Sequence, residues 1–164
     1  MTAPLLVADA GPLIALAIAE LLPLTVAHYG TLLVPQAVLD ECTAAASAPG
    51  ANTILGLLPR LQIIPHADIA QLDAAYARGL GSGELAVLAY AAQHAHIALV
   101  DDRKAVAIAE RLGVKNTRTG AVLLALKAAG KINSIRPALA AWQAHGYFLA
   151  PAVVLSLLAF AGES

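Results

Sequence analysis

The chain predicts an α/β fold, a three-layer α/β/α sandwich with a central parallel β-sheet. Three observations carry that expectation. Apolar runs of strand length alternate with longer helical patterns from end to end. Helix-starting prolines and helix-ending glycines fall at the junctions. The composition, 59% hydrophobic and only 13% charged over 164 residues, suits a sheet covered by helices on both faces. No repeat, low-complexity linker or composition shift divides the chain, so residues 1–164 are expected to form a single domain.

Residues 5–8 (LLVA) read as the first strand, which ends at a lone carboxylate, Asp9. After a Gly-Pro turn, 12–21 is apolar nearly all round and predicts a buried helix. Pro23 opens a short turn that Gly30 closes. The run 31–34 (TLLV) is a second strand, and Pro35 starts a helix reaching 46, with Glu41 about two turns in. The stretch 47–52 (SAPGAN) is a loop, and Asn52 is placed to cap a short helix to 58. A third strand, 61–64 (LQII), is ended by Pro65, and a helix follows from about 68 to 78. GLGSG, residues 79–83, is a flexible break before a long Ala-rich helix, 83–94, with Ser82 as its N-cap and Glu84 in its first turn.

The fourth strand is 97–100 (IALV), followed by Asp101 and Asp102. Asp102 is placed to cap a helix over 103–112, and Gly113 to end it. Residues 114–117 form a short fifth strand. Thr119 or Gly120 begins a helix stopped at Gly130, and Pro137 sits in the first turn of another, stopped at Gly146. The apolar tail 148–161, with Pro151 in a first helical turn, predicts a terminal helix packed on the core or on a partner. It is shorter than the ~20 residues a transmembrane helix needs, and the N-terminus lacks a basic signal-peptide region. With the lone Cys42 excluding an intramolecular disulfide, the expected setting is cytoplasmic, with no membrane association.

The net charge of −1 conceals an asymmetry. Between residues 103 and 136 lie eight of the ten basic residues and one acid, Glu110, a local charge of +7. Such a flank beside an acidic site suits a polyanion held over bound cations, although solvated helix faces have the same pattern.

In open parallel sheets, ligands bind outside the carboxyl ends of the strands. Asp9 and Asp101 follow strand ends directly, and Glu41 and Glu84 lie on helices able to lean over the same edge. Four carboxylates with almost no Cys or His beside them make a hard, oxygen-only donor set, which selects Mg²⁺ or Mn²⁺ over zinc. Bound metals remove the mutual repulsion of the acids and can activate water against a phosphodiester. Each acid also has a structural alternative: Asp9 as a turn residue, Glu41 as a surface acid, Glu84 as a dipole-favoured first-turn residue, and Asp101 or Asp102 as an N-cap. The chain has no G-x-x-x-x-G-K-[ST] phosphate loop and no G-x-G-x-x-G turn. A receiver-like phosphoryl-transfer domain is disfavoured, because no acid follows LQII and no Asp-x-Asp follows the first strand. The five histidines form no matching ligand set, and 4% aromatic content argues against stacking-led recognition of single strands.

The ordered set VADAGPLIALA, LLVPQAVLDEC, GLGSGELAVLAYA, ALVDDRKAVAIAERLG and TGAVLLALKAAGKI resembles the PIN-domain family, including its VapC-type ribonuclease toxins. The tail AWQAHGYFLAPAVVLSLL extends the likeness, which is nearest to a bacterial and archaeal PIN-like subfamily of nucleic-acid-binding proteins. The resemblance implies a metal-dependent endoribonuclease acting on single-stranded RNA. It implies Mg²⁺ or Mn²⁺ held by Asp9, Glu41, Glu84 and Asp101, with Asp102 as a further candidate ligand. It also implies a cognate antitoxin and a homodimer. Arg103, Lys104 and Arg118 are the candidate phosphate contacts. Asn116 and Thr117 stand where that subfamily often has Gly-Thr, and are the local candidates for a polar contact from that strand end. The alternative is a non-catalytic PIN-like module that binds RNA or protein.

Overall fold

The computed structural model describes residues 2–164. Five strands form its sheet: β1 (Leu6–Ala8), β2 (Leu32–Pro35), β3 (Leu61–Ile64), β4 (Ile97–Leu99) and β5 (Asn116–Thr117). They are parallel throughout, in the order β3-β2-β1-β4-β5. β1 and β2 are buried at every residue, so their unbroken apolar runs face helices on both sides. The strand order reverses at β1, with β2 on one side and β4 on the other. This places a topological switch point at the carboxyl ends of β1 and β4.

The helices are α1 (Ala10–Ile18), α2 (Leu22–Tyr29), α3 (Gln36–Cys42), α4 (Ala51–Gly56), α5 (Ala74–Ala77), α6 (Ser82–His94), α7 (Arg103–Arg111), α8 (Thr119–Ala128), α9 (Arg136–Ala144) and α10 (Pro151–Phe160). On one face α6 lies against β1, β2 and β4, flanked by α3 and α7. On the other, α1 packs with α4, α8 and α9, and α10 packs on α8. The three-layer α/β/α sandwich is therefore present. Its core is one apolar cluster that includes Leu13, Leu16, Leu88, Leu99 and Leu123. Trp142 is also buried in it, and its indole N–H donates to Ala15 O at 2.8 Å.

Several boundaries differ from the sequence expectation for identifiable reasons. The first helix begins at once after Asp9 and stops at Ile18, where Glu20 adopts a left-handed φ of 59°. Pro23 then sits in the first turn of a true helix, α2, where its missing N–H costs nothing. α3 ends at Cys42 rather than 46, and the Thr43 hydroxyl donates back to Leu39 O at 2.7 Å. The helix expected over 68–78 shrinks to the single turn α5. The Ala70 amide donates instead to Gln93 Oε1, and Asp73 captures the Ala75 amide at 2.9 Å, so the helix restarts there. Gly81, not Ser82, is the N-cap of α6. The fifth strand keeps only two paired residues.

The C-terminus is clasped to the α8–α9 region. The Glu163 carboxylate accepts from Lys127 Nζ at 2.9 Å, from the Ile135 amide at 2.9 Å and from the Ser134 hydroxyl. Lys127 also donates to Ala161 O at 2.6 Å, and Arg136 to the Glu163 carbonyl. Among the described residues no single helix is long and apolar enough to cross a membrane.

Candidate functional site

Adjacent strands deliver two carboxylates to the switch point. Asp9 directly follows β1, and Asp101 follows β4 by two residues. Ala8 pairs with Leu99, and the Asp9 amide donates to Leu99 O at 3.0 Å, which fixes the two strand ends in register. Glu41 arrives from α3 and Glu84 from the first turn of α6. With Asp102 they line one cleft of about 200 Å³, floored by residues 10–12 and edged by Gly81.

Gly83 eases this close approach. A Cβ there would lie 3.1 Å from Glu41 Oε2, 3.3 Å from Val38 Cγ2 and 3.6 Å from Asp9 Oδ1. Any side chain at 83 would occupy the space into which Glu41 and Asp9 project. α6 therefore approaches α3 and β1 at a residue with nothing beyond its Cα.

The acids are held in different ways. Asp9 is 7% exposed and makes no side-chain cap on α1, although it occupies the N-cap position. Its carboxyl is pushed up to about 6, chiefly by burial, opposed by the Ala10 amide and reinforced by the charges of Glu84, Glu41 and Asp101. Asp101 is held by hydrogen bonds to both of its oxygens. The Thr119 amide donates to its Oδ1 at 2.9 Å, and the Thr119 hydroxyl donates to Oδ2 at 2.6 Å. The Tyr147 hydroxyl donates to the same oxygen. Glu84 Oε2 accepts from the Gly81 amide at 3.0 Å. Asp102 caps α7, accepting from the Ala105 amide at 3.1 Å, so its carboxylate at the cleft rim is already committed to the helix.

The cationic candidates stand around the rim rather than in the cleft. Arg103 and Lys104 open α7, next to Asp102, and both are exposed. The Lys104 ammonium lies over Gly79, 2.9 Å from where a Cβ would sit, so it reaches back toward the glycine-rich turn before α6. Arg118 is exposed and immediately precedes Thr119. Asn116 and Thr117 belong to β5 and do not line the cleft. The Thr117 carbonyl instead accepts from the Val100 amide at 3.0 Å. The hydroxyls that reach Asp101 are those of Thr119 and Tyr147, neither of which the sequence singled out as a site residue. Thr119 left a readable signal, a hydroxyl at the first helical position after a strand. Tyr147 lies 46 residues from Asp101 on an irregular segment and left none.

Cys42 lies behind Glu41, buried, with its thiol pushed up to about 12 by burial and then by Glu41 and Asp9. That makes it an inert packing group rather than a nucleophile or soft ligand. No histidine lines the cleft. The donors are all carboxylate oxygens, and Asp9 is desolvated among like charges. Both properties fit a hard divalent cation. Among the described residues no set of three or more His, Cys, Asp or Glu is already gathered to hold a metal ion.

A family model described as a PIN domain matches residues 5–163. No curated protein sequence matches the chain.

Proposed function

The chain belongs to the PIN-domain family, a nuclease-type fold whose members generally hydrolyse nucleic acids and typically use divalent metals, and we propose that it is a Mg²⁺- or Mn²⁺-dependent endoribonuclease acting on single-stranded RNA. The observation that carries this reading is the convergence of Asp9, Glu41, Glu84 and Asp101 on one cleft at the switch point, with Asp9 desolvated. When bound there, a divalent cation would lower the pKa of water and neutralise charge building on the phosphate. Asp9 and Asp101 would hold it, with Glu41 and Glu84 completing the set directly or through water.

The chain's own groups supply the rest. Thr119 and Tyr147 fix the orientation of Asp101 by donating to both of its oxygens. Glu84, tethered by one oxygen to the Gly81 amide, presents the other to orient the attacking water. Hydrolysis forms one bond from the water oxygen to phosphorus and breaks one P–O ester bond. The departing oxygen leaves with a proton. Arg103, Lys104 and Arg118 would hold the flanking phosphates, so binding should weaken with salt.

The decisive experiment incubates a labelled single-stranded RNA with wild type and Asp9→Asn, in Mn²⁺ and in EDTA. Products only with wild type and metal support the reading, whereas equal products from both proteins would sink it. A second reading, a non-catalytic module binding RNA or protein, draws on Asp101, whose oxygens are already served as a structural acid's would be. Retention of RNA without metal-dependent products would favour it.

The toxin role in a toxin–antitoxin pair, in the cytoplasm, is part of the proposal. Support for a protein partner, an antitoxin or a second copy, comes from Phe148, Leu155 and Phe160, which are 88%, 68% and 81% exposed. Growth arrest on expression of wild type but not Asp9→Asn would support the toxin role, and unimpaired growth would contradict it.

A further inference from the structure

A second, larger groove opens from the acid cleft. It has a volume of about 840 Å³, within the range of small-ligand sites, and it shares Glu41 and Gly81 with the cleft. One wall is a single face of α3, from Ala37 through Asp40 to Glu41. The floor is one face of α6, where Leu85, Ala86 and Ala89 recur at helical spacing. The far wall is the extended segment before α5, tied to α6 by the bond from the Ala70 amide to Gln93 Oε1 at 3.3 Å. Alanines on all three sides leave the groove wide and apolar.

Its polar groups decide what it can take. No Lys or Arg lines it; Asp40 and Glu41 do, with His66, Gln71 and Ser82 as its other polar residues. A phosphate would be repelled there, and the cations of the rim belong to the α7 and α8 side instead. A neutral planar ring would lie against the alanine floor. Asp40 is a pure acceptor, with one oxygen engaged by Gln36 Nε2 at 2.8 Å and the other 3.9 Å from His66 Nε2. Carboxylates at the edge of a base pocket select exocyclic amino donors. Single-stranded RNA is read by splaying out bases and bonding to their edges.

We propose that this groove is a nucleobase subsite, which receives one base adjoining the scissile phosphate and favours an amino-bearing base over uracil. It rests on the nuclease reading above. In it the RNA backbone follows the cationic rim, and the base turns away from those cations across Glu41 into the groove.

The test measures kcat/KM in Mn²⁺ for a set of single-stranded RNAs that carry adenine, cytosine, uracil or an abasic sugar at each position flanking the cut. Wild type should show, at one position, a loss of tenfold or more for uracil and for the abasic sugar. Ala37→Phe, which fills the groove, should bring those ratios close to one. Asp40→Ala, a change at an exposed residue, should relieve the uracil penalty at least threefold, and it serves alone if Ala37→Phe does not melt cooperatively. Ratios that survive in the folded variants, a preference for uracil, or no preference at any position in wild type would each overturn the subsite and leave the nuclease reading standing. Absence of metal-dependent cleavage of every RNA by wild type would overturn both.

Discussion

Asp9 and Glu163 are both carboxylates closely surrounded by protein, and they are displaced in opposite directions. Glu163 has a lysine, a hydroxyl and a backbone amide as partners and is pulled down to about 2, first by Lys127 and then by Ser134 and Ile135. Asp9 has other acids as neighbours and is pushed up to about 6. The clasp at Glu163 is electrostatically complete and holds the C-terminal segment to α8 and α9. The cleft at Asp9 gathers acids with no Lys or Arg among the residues that line it. A fold keeps such an arrangement at a strand end at a cost to stability, which a bound cation would offset.

The sharpest way to break this contrast is to neutralise each acid. Asp9→Asn should lower Mg²⁺- or Mn²⁺-dependent RNA cleavage by about a hundred- to a thousandfold, the scale on which loss of a key electrostatic group acts. The same variant should be at least as stable as wild type without metal above pH 7. Ionising Asp9 opposes folding there by on the order of 3 kcal/mol, given a carboxyl near 6 rather than its ordinary value. Cleavage assays and denaturant titrations check both halves. Glu163→Gln should do the reverse, lowering the thermal midpoint by several degrees while cleavage at 25 °C stays within a few-fold of wild type.

The pH dependence of stability separates the two sites further. Glu163 has a depressed folded pKa, so its contribution is complete above the unfolded value near 4.3. It is lost as pH falls toward about 2. Asp9 has a raised folded pKa, so the folded state holds the extra proton between the unfolded value near 3.9 and about 6. Stability from this group therefore falls as pH rises through that window. Glu163→Gln should flatten the acid limb, and Asp9→Asn the falling limb, in urea midpoints measured from pH 2.5 to 8. The smallest expected effect is at Tyr147→Phe, which removes one of three donors to Asp101. Cleavage should drop by roughly three- to tenfold, consistent with a bond to a charged group, and the loss should be mainly in kcat.

The sheet was legible because its central strands are short, apolar and punctuated by Pro and Gly. The same local signals placed Asp9 and Asp101 at strand ends. The convergence of Glu41 and Glu84 was legible only as a possibility. It is eased by Gly83, whose missing side chain is visible in sequence but whose neighbours, Glu41 and Asp9, come from distant elements. The segment before α5 was misread as helix because its alternatives are tertiary: Gln93 holds Ala70, and Asp73 restarts the helix. Tyr147 and the Glu163 clasp escaped for the same reason, since each bonds across tens of residues with no periodic pattern to mark it.

The central proposal is that the acids gathered around Asp9 hold a divalent cation. The most direct measurement is the thermal midpoint at pH 7.5 with and without Mn²⁺, for wild type and Asp9→Asn. Ligand at about a hundred times its dissociation constant stabilises by about 2.7 kcal/mol, which is about 5 to 10 °C for a chain of this size. A rise of that order in wild type that vanishes in Asp9→Asn is the predicted result. An equal shift in both proteins, or none in wild type, would contradict it.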